Sequence, residues 1–161
     1  MKLTIQEIAQ AVGSGNEESG KITGVEFDSR KIKAGDLFVP LAGATDGHEF
    51  IQQAIEQGAS ATLWSKEPAK APQGIPVIIV KDTLVAMQDL AKYYLEKVGA
   101  DVIAVTGSNG KTTTKDLTAS VLSQKFHTYK TQGNYNNNIG LPYTILHMPD
   151  ETEKIVLEMG M

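Results

Sequence analysis

The sequence predicts an α/β protein in two parts, a small amino-terminal α/β domain over residues 1–98 and the opening of a parallel-sheet domain over 99–161. Three observations predict it. Short apolar runs alternate with helical patterns along the whole chain, and beyond residue 99 the order is strand, helix, strand, helix, strand, which requires parallel pairing. Gly107-Ser108-Asn109-Gly110-Lys111-Thr112 joins an apolar run to a helical one. Gly99-Ala100 separates the two regimes.

The elements follow in order. Thr4-x-x-Glu7 is a capping-box pattern that starts a helix over Ile5, Ile8, Ala9 and Val12, with Gly13 as its stop. Residues 22–27 alternate apolar and polar, as a half-buried strand does, and 36–41 form a second strand before the loop of Gly43, Asp46 and Gly47. A helix over 48–57 places Phe50, Ile51, Ala54 and Ile55 on one face. Strands over 61–64 and 76–80 flank a Lys/Pro/Ala/Gly loop. Asp82 and Thr83 then cap a helix whose buried stripe is Leu84, Met87, Leu90, Ala91, Tyr94, Leu95 and Val98. The second part reads as a buried strand over 102–106, a helix over 111–124, a strand over 127–130, an Asn-rich loop, a short helix over 141–147 and a strand over 154–158. Three parallel strands covered on both faces are too few for a complete sheet, so the chain is expected to be part of a longer protein. No repeat or low-complexity tract interrupts the pattern.

The composition narrows the function classes. A formal net charge of −4 without a block of like charge argues against a non-specific nucleic-acid binder, which needs a basic face. With no cysteine there is neither a disulfide framework nor a thiolate zinc site, and a cytoplasmic address fits. No stretch approaches the ~20 apolar residues of a membrane span, and residues 1–7 turn polar too early for a signal peptide.

The chemistry concentrates after the 102–105 strand. Gly107 and Gly110 allow backbone angles that turn successive N–H groups inward, and with the positive end of the following helix these make a pocket for phosphate oxygens. Lys111 adds a full charge beside the β and γ phosphates, and Thr112 offers a hydroxyl to Mg²⁺. The motif is a shortened one, because the full pattern has glycine where Val105 stands. The alternative is a glycine turn with a solvated lysine. The strand before and the amphipathic helix after favour the phosphate loop. Glu158 ends the last strand on the edge where parallel sheets bind ligands, so it is either a partner for Mg²⁺ opposite Thr112 or a solvated terminal acid. Asn134, Asn136, Asn137 and Asn138 supply amides that either hold phosphate or sugar oxygens or make local Asx turns. In the first part, Arg30 is placed to grip a phosphate and Ser29 to bond a base or sugar, unless Asp28 simply pairs with Arg30 in a surface turn. His48 reads as a helix-start residue, and His127 and His147 as structural.

Together these residues resemble the Mur ligases and their folylpolyglutamate synthetase relatives. Thr106-Gly107-Ser108-Asn109-Gly110-Lys111-Thr112-Thr113-Thr114 is similar to the family's ATP loop. Asp28-Ser29-Arg30, Gly35-Asp36-Leu37-Phe38-Val39, Gly43, Asp46-Gly47-His48-x-Phe50-Ile51 and Gly58-Ala59 resemble its UDP-binding amino-terminal domain. Thr131-x-Gly133-Asn134-x-Asn136-Asn137-x-Ile139-Gly140-x-Pro142 and Glu158-Met159-Gly160 carry the resemblance toward members that join D-alanyl-D-alanine to UDP-N-acetylmuramoyl-tripeptide. Members that add the third amino acid are the runner-up.

The resemblance implies a small UDP-binding α/β domain followed by the start of a P-loop ATPase domain with a parallel sheet. It implies ATP and Mg²⁺, with Gly107, Ser108, Asn109, Gly110, Lys111, Thr112 and Thr113 around the phosphates, Lys111 catalytic, and Thr112 and Glu158 on the metal. Ser29 and Arg30 would lie near UDP, and Asn134 and Asn137 would face the substrate channel. The implied reaction is amide formation through an acyl phosphate. Carboxylate and triphosphate repel by about 4 kcal/mol per pair of unit charges at ~4 Å and a surface-like dielectric. Lys111, Mg²⁺ and the loop N–H groups offset this repulsion. The 161 residues alone are expected to be inactive, and the whole enzyme monomeric. The rival class is a nucleotide-binding module without ligase chemistry.

Overall fold

A computed structural model describes residues 1–160. The chain forms two compact units, 1–90 and 91–161, and the division falls inside one continuous helix. The sequence puts the boundary eight residues later, at the glycine that ends that helix.

The first unit opens with a two-residue strand, β1 (Leu3–Thr4), and the helix α1 (Ile5–Ala11). The predicted capping box is present in full: the Thr4 hydroxyl accepts the Glu7 N–H at 3.0 Å and the Glu7 carboxylate accepts the Thr4 N–H at 2.8 Å. The strand predicted over 22–27 is two strands. β2 (Lys21–Ile22) pairs antiparallel with β1, whereas β3 (Gly24–Glu26) enters the main sheet. Between them Thr23 donates its N–H to Gly35 O, so its ladder bond serves neither strand.

β4 (Asp36–Phe38), β5 (Ala61–Trp64) and β6 (Val77–Ile79) complete a four-stranded parallel sheet in the order β3-β4-β5-β6. The helix predicted over 48–57 starts as a 3₁₀ turn, Gly47–Phe50, and continues as α2 (Ile51–Glu56). Ile51 and Ala54 pack with Ile32, Phe38, Ala59 and Trp64 in one apolar cluster. α3 (Thr83–Val98) begins where Asp82 Oδ1 accepts the N–H groups of Leu84 and Val85. The predicted stripe is buried at Met87, Leu90, Ala91 and Tyr94.

In the second unit, β7 (Asp101–Val105), α4 (Lys111–Leu122), β8 (Thr128–Lys130), α5 (Gly140–His147) and β9 (Lys154–Glu158) follow the predicted alternation. The sheet is parallel with order β7-β9-β8, so the last strand in sequence is the middle one. Val105, Ala119 and Val156 make the core between sheet and α4. The expected burial of β7 on both faces is corrected. Val102 is 44% exposed and Ala104 is exposed as well, although their partners on β9, Ile155 and Leu157, are buried, so the cover over that face stops short of the edge strand β7. α4 likewise turns Leu117 and Val121 outward.

Candidate functional site

β7 ends in the loop that the sequence singles out. Gly107 (φ 138°) and Gly110 (φ 76°) both adopt angles that L side chains rarely take, which is why glycine stands at these two positions. Gly110 caps α4, and the first intrahelical bond runs from Thr114 N to Gly110 O at 2.9 Å. The N–H groups of Lys111, Thr112 and Thr113 therefore have no carbonyl one turn before them and face outward at the helix start. Ser108, Asn109, Thr112 and Thr113 are exposed and Gly107 and Lys111 partly buried. The Lys111 ammonium has no ion-pair partner among the described residues. A helix start with unbonded N–H groups and a lysine at its first position is an arrangement that suits an anion, since the dipole, the N–H groups and the charge all favour negative charge there.

β9 brings Glu158 to the same end of the sheet, since Val105 pairs with Glu158 in register. Its carboxylate is buried, and its oxygens lie 3.3 and 3.4 Å from the Thr112 hydroxyl. Asn136 Nδ2 reaches Oε1 at 3.4 Å, and Lys115 Nζ lies 3.6 Å from Oε2. The Glu158 backbone is fixed as well, its N–H donating to Thr131 Oγ1 at 3.0 Å.

A carboxylate and a hydroxyl side by side are hard oxygen donors, as Mg²⁺ prefers. Among the described residues no cluster of three His, Cys, Asp or Glu exists. The pair fits the kind of Mg²⁺ site that takes one carboxylate from the protein and completes its shell with phosphates and water.

The Asn-rich loop is held tightly. Asn137 Oδ1 accepts the N–H groups of Ile139 and Gly140 at 3.2 and 2.7 Å, the Asx arrangement that the sequence left open as an alternative. Asn134 is exposed, with its carbonyl accepting the Asn136 N–H at 2.7 Å. Asn136 is the amide that meets Glu158. Gly140 is required by space, since a Cβ there would come within 2.6 Å of the Tyr135 backbone.

Lys115 was missed at the sequence level. It is 2% exposed, and its ammonium donates to Gly133 O at 2.9 Å, tying α4 to the start of the Asn-rich loop. A lysine one turn into a helix ordinarily reads as solvated. The only available signal was its spacing of four residues from Lys111, which puts both on neighbouring turns.

In the first unit, Asp28, Ser29 and Arg30 follow the carboxyl end of β3. Buried Glu26 shapes the turn by accepting the N–H groups of Phe27 and Asp28. Ser29 is buried and its hydroxyl donates to Gln53 Oε1 at 2.7 Å. Arg30 makes two side-chain bonds to Asp28, at 2.9 and 2.8 Å, while 78% of its side chain stays exposed. Bonds from the Arg30 guanidinium and N–H draw the Asp28 carboxyl down to about 2.

After β4 and β5, Asp46 and Lys66 pair at 2.8 Å, and Lys66 holds the Asp46 carboxyl well below the usual carboxylate range. His48 is buried with its ring edge-on to Trp64. Its Nε2 accepts the Ser65 N–H at 3.1 Å, so its proton sits on Nδ1 and is donated to Asp46 at 2.8 Å. His48 thus locks two loops together rather than merely starting a helix. All these groups sit on the carboxyl edge of the parallel sheet, the edge that binds ligands in open α/β sheets.

Comparison with known proteins gives this geometry a context. Residues 105–161 match the family described as the Mur ligase middle domain. The whole chain is 49% identical to part of the UDP-N-acetylmuramoyl-tripeptide–D-alanyl-D-alanine ligase of Bacillus subtilis and covers 36% of that protein. It is 44% identical to the ligase of the same name from Escherichia coli, with 84% of this chain and 30% of that one aligned. The chain spans about a third of the length of these relatives.

Among solved structures, the diaminopimelate-type D-alanyl-D-alanyl ligase of Acinetobacter baumannii superimposes with a TM-score of 0.91 at 32% identity. That match covers all of this chain and 37% of the other. A ligase from Thermotoga maritima, solved in complex with ADP, aligns over 84% of this chain and 31% of its own, with a TM-score of 0.71 at 35% identity. Among the described residues no helix is long and apolar enough to cross a membrane.

Proposed function

Because the chain belongs to the Mur ligase family, we propose that it is the amino-terminal part of an ATP-dependent amide-bond ligase of peptidoglycan precursor synthesis. The reaction joins D-alanyl-D-alanine to UDP-N-acetylmuramoyl-tripeptide. Residues 1–98 bind the UDP-sugar and 99–161 begin the ATP domain. The observation that carries this reading is the meeting of the glycine-loop helix start with the Thr112–Glu158 pair at one sheet edge. The similarity to D-alanyl-D-alanine ligases over the whole chain supplies the substrate class.

The chain's own residues would divide the work as follows. Gly107, Ser108, Asn109, Gly110, Lys111, Thr112 and Thr113 cradle the triphosphate, and Lys111 draws charge off the transferring phosphoryl group. Thr112 and Glu158 hold Mg²⁺, which when bound neutralises phosphate charge. The carboxylate of the tripeptide takes the γ-phosphoryl of ATP, releasing ADP and giving an acyl phosphate. The amine of D-alanyl-D-alanine then attacks the acyl carbon, phosphate leaves, and the amine's proton is lost. Ser29 and Arg30 face UDP, and Arg30 exchanges its bond to Asp28 for the ligand. Asn134 and Asn137 line the substrate channel, Asn137 by fixing the loop that carries it. The complete enzyme is cytoplasmic and monomeric, and these 161 residues alone are inactive.

Saturation-transfer NMR with UDP-N-acetylmuramic acid tests the reading on this chain. Transfer to the uracil protons is expected, weakened in Arg30→Ala. Absence of any transfer would favour a plain nucleotide-binding module.

A further inference from the structure

The mechanism above leaves Lys115 unused, although it is the one lysine buried among the described residues. Its ammonium touches three things: Gly133 O at 2.9 Å, the exposed Asp116 at 3.8 Å and Glu158 Oε2 at 3.6 Å. Asp116 is already paired with Lys130 at 2.8 Å. Glu158 has no comparable second partner. Its other neighbours, the Thr112 hydroxyl and the Asn136 amide, are neutral. Both Glu158 and Lys115 are 2% exposed, so water compensates neither. A buried carboxylate persists only with a compensating charge or strong hydrogen bonds, and its bonds here are long.

We propose that Lys115 is the resident counter-cation of Glu158, compensating its carboxylate in the metal-free state and excluding free divalent cation until nucleotide phosphates arrive. This rests on the metal role of Glu158 proposed above. Two cations cannot share one buried carboxylate cheaply, because their repulsion in a low-dielectric site opposes the attraction of each for the anion. A triphosphate in the glycine loop brings enough negative charge to hold both. Metal then enters together with nucleotide, and Lys115, still bonded to Gly133 O, keeps the Asn-rich loop in register with α4. Lys115 is in this sense a positioning residue.

The test uses Mn²⁺ as probe on the 161-residue chain, without nucleotide, read by electron paramagnetic resonance of the free ion and by thermal unfolding. Lys115→Met is expected to bind Mn²⁺ at least tenfold more tightly than the parent chain, and to gain melting temperature from it. Lys115→Arg, which keeps the charge, is expected to behave as the parent, and Lys115→Met combined with Glu158→Gln to lose the gain. Unchanged or weaker Mn²⁺ binding by Lys115→Met overturns the proposal. If that variant does not fold without metal, recovery of its far-ultraviolet dichroism on adding Mn²⁺ supports the proposal and failure to recover overturns it. The nucleotide reading is tested apart, by adding ADP to the parent chain. If ADP fails to raise Mn²⁺ binding while Lys115→Met still gains, the counter-cation role stands and the nucleotide assignment falls.

Discussion

The Thr112 hydroxyl lies 3.3 and 3.4 Å from the two carboxylate oxygens of Glu158, a residue 46 positions later in the chain. Register brings them together: β7 and β9 pair residue for residue, and Thr112 is the second residue of the helix that follows β7. In the full-length ligase proposed above, Glu158→Gln is expected to lower turnover by about 10²-fold or more, the scale of losing one electrostatic group at a charge-developing centre. Thr112→Val should act in the same direction. Turnover measured against Mg²⁺ concentration checks this, since both variants should need more metal for half-maximal rate.

Lys111 differs from Lys115 in having no partner among the described residues that its removal would orphan. Lys111→Ala should therefore abolish turnover of the complete enzyme while changing folding stability by no more than about 0.5 kcal/mol, as at ordinary surface sites. Paired activity and thermal-unfolding measurements decide it. Near-normal activity would refute the phosphate-loop assignment.

Gly140→Ala places a methyl within 2.6 Å of the Tyr135 backbone, which cannot move aside like the end of a flexible side chain. The expected cost is about 1–3 kcal/mol, the range for forced overpacking. Urea unfolding measures it. Hydrogen exchange should locate the loosening at the Asn-rich loop, including the Gly140 N–H now held by Asn137.

Arg30 holds the Asp28 carboxyl down at about 2. The folded value lies below that of the unfolded chain, so this pair stabilises the fold above about pH 4 and loses that contribution as pH falls toward 2. Arg30→Ala should return the Asp28 titration toward the ordinary aspartate value, seen by carbon-13 NMR of the carboxyl. The stability curves of the two proteins should converge below pH 2. The pair is exposed, so the separation at neutral pH should be small.

Local rules were readable in the sequence where a residue's partner lies nearby. The Thr4–Glu7 capping box, the Asp82 helix start and the glycine loop each need only a few consecutive positions, and each stands where the pattern put it. The break at Thr23 was not readable, because it depends on Gly35 O taking the Thr23 N–H across a turn. The burial of Lys115 was hidden for the same reason, its carbonyl acceptor lying 18 residues away. For Arg30 and Asn137 the sequence offered a bland local bond beside a functional one, and both local bonds form. β7 reads as buried from its apolar run, yet an edge position leaves Val102 open.

The strand order β7-β9-β8 has a consequence for how this region is made. During synthesis the two outer strands emerge first and have no hydrogen-bonded neighbour in each other. Each waits for the segment that will lie between them, and only its arrival converts two solitary ribbons into a sheet. Until then Lys115 has no acid from β9 to face and the glycine loop lacks a rigid floor. The Thr112–Glu158 pair therefore cannot close until the strand that carries the acid has emerged, 46 positions after the hydroxyl.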